Sequence, residues 1–152
     1  MPTYVCSIPP GLLDEAQKAE IARVITRNHH EATGAPAYFV QVVIDEKVGT
    51  QRYLGGEPAS DQIWIRADIR SGRTVEQRSG LMLKIMRDIA VIAGVEEKKI
   101  WVYLCNLEPT DMVEYGHVLP VPGMEKEWFD GLPAELRHYL FALGAKKDGF
   151  IL

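Results

Sequence analysis

Residues 63–77 read IWIRADIRSGRTVEQ, and the fold turns on how they divide. Ile63, Ile65, Ala67 and Ile69 alternate with Trp64, Arg66, Asp68 and Arg70, the period of two that marks a strand with one buried face. Ser71-Gly72 then turns the chain. Thr74 and Gln77 have the spacing of a capping box, in which hydroxyl and amide each satisfy a free backbone donor at a helix start. The helix carries Met82, Ile85, Ile89, Ile92 and Ala93 on one face and stops at Gly94. Ile100 to Cys105 alternates again and predicts a further strand. Strand, helical crossover and strand make one β-α-β unit, over about residues 62–106.

Outward toward the amino end, a unit of similar layout occupies about residues 2–46. Thr3 to Ile8 reads as a short strand ended by Pro9, Pro10 and Gly11. A helix is predicted from about Leu12 to Ala32, with Asp14 and Glu15 in its first turn, where they suit the positive end of the helix dipole. Ile21, Ala22, Ile25 and His29 share a face, and Gly34 and Pro36 form the stop. Tyr38 to Ile44 is nearly all apolar, aromatic or β-branched and predicts a strand buried on both faces. The polar, glycine-containing residues 45–60 read as a connection. Two such units share one four-stranded mixed sheet with both helices on one face, an α+β fold built as a tandem repeat.

Residues 107–152 add loops and a helix to what reads as a single domain. Glu114-Tyr115-Gly116 and Pro120 to Gly123 belong to loops, and Trp128 to Asp130 reads as an aromatic anchor in a core or subunit contact. The last helix opens at Leu132-Pro133, with Leu136, Tyr139, Leu140 and Leu143 on one side. The tail after Gly144 reads as a mobile end or a subunit contact.

Composition narrows the function. The chain has 152 residues, 47% hydrophobic and 25% charged, and a net charge of -4, so it is an ordinary globular sequence. A mildly acidic chain is a poor partner for nucleic acid or an anionic membrane surface. The longest apolar runs fall far short of the roughly 20 residues that span a bilayer. The amino end shows no secretory pattern. Cys6 and Cys105 are too few for a disulfide framework or a cysteine zinc site, and reduced, buried thiols fit a cytoplasmic protein. The phosphate-cradling and nucleophile-elbow motifs are absent, so neither a nucleotide cofactor nor serine-hydrolase chemistry has support, and His29 with His30 lacks a third ligand at the spacing a metal site needs.

Some residues have chemistry to offer. Pro2 follows Met1, and removal of Met1 before so small a residue would leave a prolyl secondary amine at the head of a strand. An α-amino group titrates at about 7.7–8.0 when unperturbed. An apolar site or nearby arginine makes it a base, and a polar site keeps it an acid. Arg70 and Arg73 flank the strand-to-helix turn, where guanidinium forks suit a carboxylate, and Arg66 shares the strand face with Arg70. His29 sits on an apolar helix face near the helix end, and its neighbour His30 points away to solvent. Tyr103 shares a face with Trp101 and Cys105, and Glu114 lies between Met112 and Tyr115. A tyrosine and a glutamate converging on one pocket could hold and deprotonate water. Taken singly, each of these reads more simply as a core or surface residue.

Together with the doubled β-α-β layout, Pro2 and Arg70-x-x-Arg73 resemble the tautomerase superfamily, and within it the cis-3-chloroacrylic acid dehalogenase branch. The resemblance runs from Pro2 to about Leu140 and includes Ile25-Thr26 with His29, Ile100-Trp-Val-Tyr103, Met112-Val-Glu-Tyr-Gly116 and Trp128-Phe-Asp130. It implies a cofactor-free homotrimer acting on a small carboxylate. It further implies that Pro2 is the catalytic amino-terminal proline and that His29, Arg70 and Arg73 hold the carboxylate. Tyr103 and Glu114 would then position and activate water. The expected activity is keto-enol tautomerisation of 2-hydroxyalkenoates or arylenolpyruvates, with low-level dehalogenation of cis-3-haloacrylates. The loop Thr33 to Phe39 departs from the efficient dehalogenase: Ala35 offers no side-chain hydrogen bond and Phe39 is bulky. A dedicated dehalogenase or acrylate/propiolate hydratase is the first alternative, and a non-catalytic ferredoxin-like binding module the second.

Overall fold

The main sheet has the strand order β2-β1-β5-β6 in a computed structural model that describes residues 2–145. Along the chain lie β1 (Thr3–Ser7), α1 (Glu15–Thr33), β2 (Gln41–Asp45), β3 (Tyr53–Leu54), β4 (Glu57–Pro58) and β5 (Ile63–Arg70). Then come α2 (Val75–Ala93), β6 (Ile100–Leu107), β7 (Val113–Glu114), β8 (His117–Val118), α3 (Glu125–Asp130) and α4 (Ala134–Ala145). The tail beyond Ala145 lies outside the described residues.

β1 and β2 pair in parallel, as do β5 and β6, while β1 and β5 run antiparallel with Thr3 opposite Asp68. Each long helix therefore bridges a parallel pair, and the two β-α-β units meet along β1 and β5. Tyr4, Cys6, Ile63, Ile65, Ala67 and Ile69 turn inward to Ile21 and Ile25 of α1 and to Leu81, Ile85 and Ile89 of α2. Each large side chain fully buried here contributes about 1.5–3 kcal/mol.

Both helices are closed by the same chemistry. Thr74 caps α2 through the capping box expected for it, and Gly94 ends that helix at φ 66°. α1 begins later than expected because Asp14 is its cap rather than part of its first turn. The Asp14 carboxylate accepts from Gln17 N–H at 2.7 Å, and the Gln17 side chain accepts from Asp14 N–H at 3.0 Å.

Several expectations need correction. Tyr38 to Ile44 is not one strand buried on both faces. Ala37–Phe39 form a 3₁₀ turn, and β2 is an edge strand whose residues alternate between exposed and half-buried. The apolar run misled because Tyr38 and Phe39 serve a second core, with Ala35, Leu119, Leu132 and Leu140. The connection at 45–60 contains the β3–β4 hairpin, and residues 113–118 form the β7–β8 hairpin rather than an open loop. In α4 Leu140 is buried, but Tyr139 and Leu143 are exposed. Helix α3 was unexpected, and its Trp128 and Phe129 pack on the second core as an anchor. Both cysteines are free, yet Cys105 is only half-buried.

Candidate active site

The end of β5, the start of β1 and the end of α1 converge. Register opposes Thr3 to Asp68, which brings Pro2 level with Ile69 and next to the end of the strand at Arg70. Pro2 is buried, and its carbonyl accepts from Gln41 N–H at 3.0 Å, so the residue is held inside the sheet. Tyr4, one inward position further along β1, bonds His29 of α1: its hydroxyl lies 2.8 Å from Nδ1.

The turn from Arg70 to Arg73 is tightly built. Ser71 N–H donates to the carbonyl of Leu107 at 2.7 Å. Gly72 lies in the left-handed region at φ 101°, and a Cβ there would stand 2.7 Å from Pro122 Cγ. Glycine is thus required both by conformation and by space. Thr74 caps α2 immediately afterwards, which fixes the rest of the turn.

Arg70 is buried, and its guanidinium donates to the carbonyl of Pro120 and to the carboxylate of Glu125 at the start of α3. Its Nε is sealed from solvent without a hydrogen-bond partner. Burial opposes ionisation of Glu125, but the bonds from Arg70 and Gly123 N–H outweigh it and hold the carboxyl below its ordinary value. Arg73 is half-buried, and its guanidinium makes no ion pair or hydrogen bond among the described residues. Burial, then the charge of Arg70, lowers its affinity for a proton, yet guanidinium stays cationic. His29 is 3% exposed. Burial, then the charges of Arg73 and Arg70, push its pKa down to about 3, so the ring is neutral at ordinary pH.

Glu114 closes one side of a cavity of about 970 Å³ that Thr3, Tyr38, Phe39, Gln41 and Asp68 also line. The β7–β8 hairpin turns at Tyr115 and Gly116, both at positive φ, and the Tyr115 hydroxyl donates to the Tyr38 carbonyl. That bond ties the hairpin carrying Glu114 to the loop after α1.

His29, Arg70 and Arg73 thus lie close enough to interact, next to the strand end that meets Pro2, while Glu114 lines the neighbouring cavity with Thr3 and Asp68. Tyr103 does not join them. It lies on the helix-free face of β6, 48% exposed, stacked on Trp101 and edge-on to Trp64. It lines a separate cavity with Arg52, Tyr53 and Gln62. Arg66 also stays apart, paired with Asp68. His30 is not exposed: it is half-buried, with Nδ1 2.8 Å from the Ala35 carbonyl.

Sequence reasoning passed over Tyr4 and Glu125. The alternation of β1 does turn Tyr4 inward toward the face of α1 that bears His29, so a signal existed. Glu125 is 55 positions from its partner Arg70, and no local pattern announces it.

Chemically, two guanidiniums beside a buried imidazole can bind a small carboxylate. The family model described as "Putative oxalocrotonate tautomerase enzyme" matches residues 1–131. N1, a member of the cis-3-chloroacrylic acid dehalogenase (cis-CaaD) family, is similar at 36% identity over 92% of this chain and 99% of its own, with TM-score 0.88. The F6 fused 4-OT, solved as an asymmetric trimer, is 26% identical over 76% of this chain and 94% of its own, with TM-score 0.71. Ps01740 is 28% identical over 74% of this chain and 99% of its own, with TM-score 0.69. No curated protein matches the chain.

Proposed function

The chain belongs to the tautomerase superfamily, in the cis-3-chloroacrylic acid dehalogenase family, and from this we propose a cofactor-independent enzyme that ketonises 2-hydroxyalkenoates or arylenolpyruvates through Pro2. One observation carries the reading. Two guanidiniums and a buried, neutral imidazole lie close enough to interact near the strand end that meets Pro2, and Arg73, unlike Arg70 with its partner Glu125, has no ion-pair partner among the described residues.

In this reading Arg70, Arg73 and His29 hold the substrate carboxylate, which fixes the enol carbons beside Pro2. Removal of Met1 frees the prolyl amine. The amine takes the proton of the C-2 hydroxyl as the carbonyl forms, and delivers a proton to C-3. The site is suited to a prolyl base because apolar burial and cationic neighbours both disfavour the protonated amine.

The likeness to N1 supports a second, weaker activity on cis-3-haloacrylates. Here Glu114 and Tyr103 deliver water to C-3 while protonated Pro2 donates to C-2. Loss of halide from the halohydrin then leaves malonate semialdehyde and hydrogen halide. The bulk of Phe39, buried in the cavity wall near Glu114, keeps this activity low.

Tyr103 serves the reading only if it comes from another copy, since its own chain carries it on the opposite face of the sheet. We therefore propose a homotrimer, the assembly named for the F6 fused 4-OT. The two free cysteines support a place in the cytoplasm.

A proton NMR time course with phenylenolpyruvate and, separately, cis-3-chloroacrylate tests the reading. Fast ketonisation with slow appearance of malonate semialdehyde is expected, and Pro2→Ala abolishes both. Full activity in Pro2→Ala overturns the proposal.

A further inference from the structure

β1 contributes a residue to the site, two positions after Pro2. Tyr4 is fully buried and His29 nearly so, and the Tyr4 hydroxyl lies 2.8 Å from His29 Nδ1. The rings meet edge to face at 5.9 Å and 77°, so the contact is packed as well as bonded. Which partner donates decides what the imidazole can do at its other nitrogen.

The hydroxyl hydrogen settles it. Nδ1 is the hydroxyl's one partner among the described residues. If Nδ1 carried the ring hydrogen and donated, the Tyr4 hydrogen would be buried with no acceptor, a costly arrangement. If Tyr4 donates to Nδ1, both groups are satisfied. Burial pushes the Tyr4 phenol well above its ordinary range, so it keeps its hydrogen to give. Burial and the two arginines keep the imidazole neutral, so it holds one hydrogen, and that hydrogen must sit on Nε2. Nε2 bonds to no described residue and is the nitrogen left for a ligand.

From this geometry we infer that Tyr4 is a positioning residue that fixes His29 as the Nε2–H tautomer, so that a neutral imidazole donates to a monocarboxylate beside Arg70 and Arg73. The inference rests on the proposed role of His29 in holding the carboxylate. The other tautomer would aim a lone pair at the same oxygen and repel it. Tyr4 thereby sets the sign of the His29 interaction.

Multiple-bond proton–nitrogen NMR of histidine-labelled protein reads the tautomer without any turnover. Wild type should show His29 protonated on Nε2 alone, and propionate should shift that resonance. Tyr4→Phe, which keeps the ring packing, should populate the Nδ1–H form and weaken propionate by about ten-fold, the loss of one hydrogen bond to a charged group. In enol turnover the same variant should raise KM about as much while kcat changes little, and should add nothing in a His29→Gln background.

His29 protonated on Nδ1 in the wild type overturns the inference, and that spectrum decides even if Tyr4→Phe misfolds. An unchanged tautomer or an unchanged propionate affinity in folded Tyr4→Phe overturns it too. If the tautomer and propionate results hold but no 2-hydroxyalkenoate is turned over, the proposed reaction fails and the role of Tyr4 stands.

Discussion

The Glu125 carboxylate bridges Arg70 and the backbone N–H of Gly123, so the first turn of α3 is tied to the buried end of β5. Arg70 has almost no exposure, and stripping its partner leaves a buried, uncompensated cation. Glu125→Ala should destabilise the protein by about 3 kcal/mol. Glu125→Gln, which keeps an oxygen acceptor, should cost less. Urea denaturation of both variants measures this, and equal losses would remove the charge from the explanation.

Gly72→Ala should be damaging out of proportion to one methyl group. The new Cβ would meet Pro122 Cγ at 2.7 Å in a backbone conformation that L-residues avoid. The expected cost is about 1–3 kcal/mol of strain. Because the residue separates Arg70 from Arg73, KM for a carboxylate substrate should rise as well. Unchanged KM with lowered stability would show that the turn moves without moving the arginines.

Acid should unfold the protein partly through His29. Its ring is neutral in the fold down to pH about 3, whereas in the unfolded chain it titrates near 6.5. Between those values the unfolded state binds more protons, so stability rises with pH across the window. The contribution is complete above pH about 6.5 and is lost as pH falls toward 3. His29→Gln should flatten the slope of unfolding free energy between pH about 6.5 and 5, above the main carboxylate range. Parallel slopes for the two proteins would contradict a buried neutral His29.

Glu114→Gln separates the two proposed activities. Water must be activated for haloacrylate, so the variant should lose about 10²-fold or more in malonate semialdehyde formation. Enol ketonisation needs no water and should fall only slightly. A comparable fall in both NMR assays would make Glu114 a structural residue.

Tyr103 should act between subunits. Tyr103→Phe and Arg70→Ala each lower dehalogenation when made alone. Co-expressed, the two variants should form mixed trimers in which some sites carry both wild-type groups. Activity above that of either parent is expected, and its absence would place Tyr103 outside the site.

The sheet was legible in the sequence because burial there follows local periods. Ile63 to Arg70 and the Thr74 capping box needed no distant information. The site was half legible. Arg70 and Arg73 stand out at a turn, but the partner that engages Arg70 comes from α3, which has no strong start signal of its own. Tyr38 and Phe39 were misread for a related reason. Their hydrophobicity is spent on the carboxyl-terminal segment, and an apolar run cannot say which surface it will cover. Tyr103 lies on a readable strand, yet the contact with a second copy proposed for it would leave no mark in one chain's periodicity.

The bond from Gln41 N–H to the Pro2 carbonyl has a kinetic meaning. Residues so near the start of a chain ordinarily fray. Here the ladder begins one residue before β1, and the ring of Pro2 removes a further torsion. For a Pro2 that acts as proposed, the nitrogen is therefore immobilised once, when the protein folds, and no entropy is lost to orient it at each encounter with substrate.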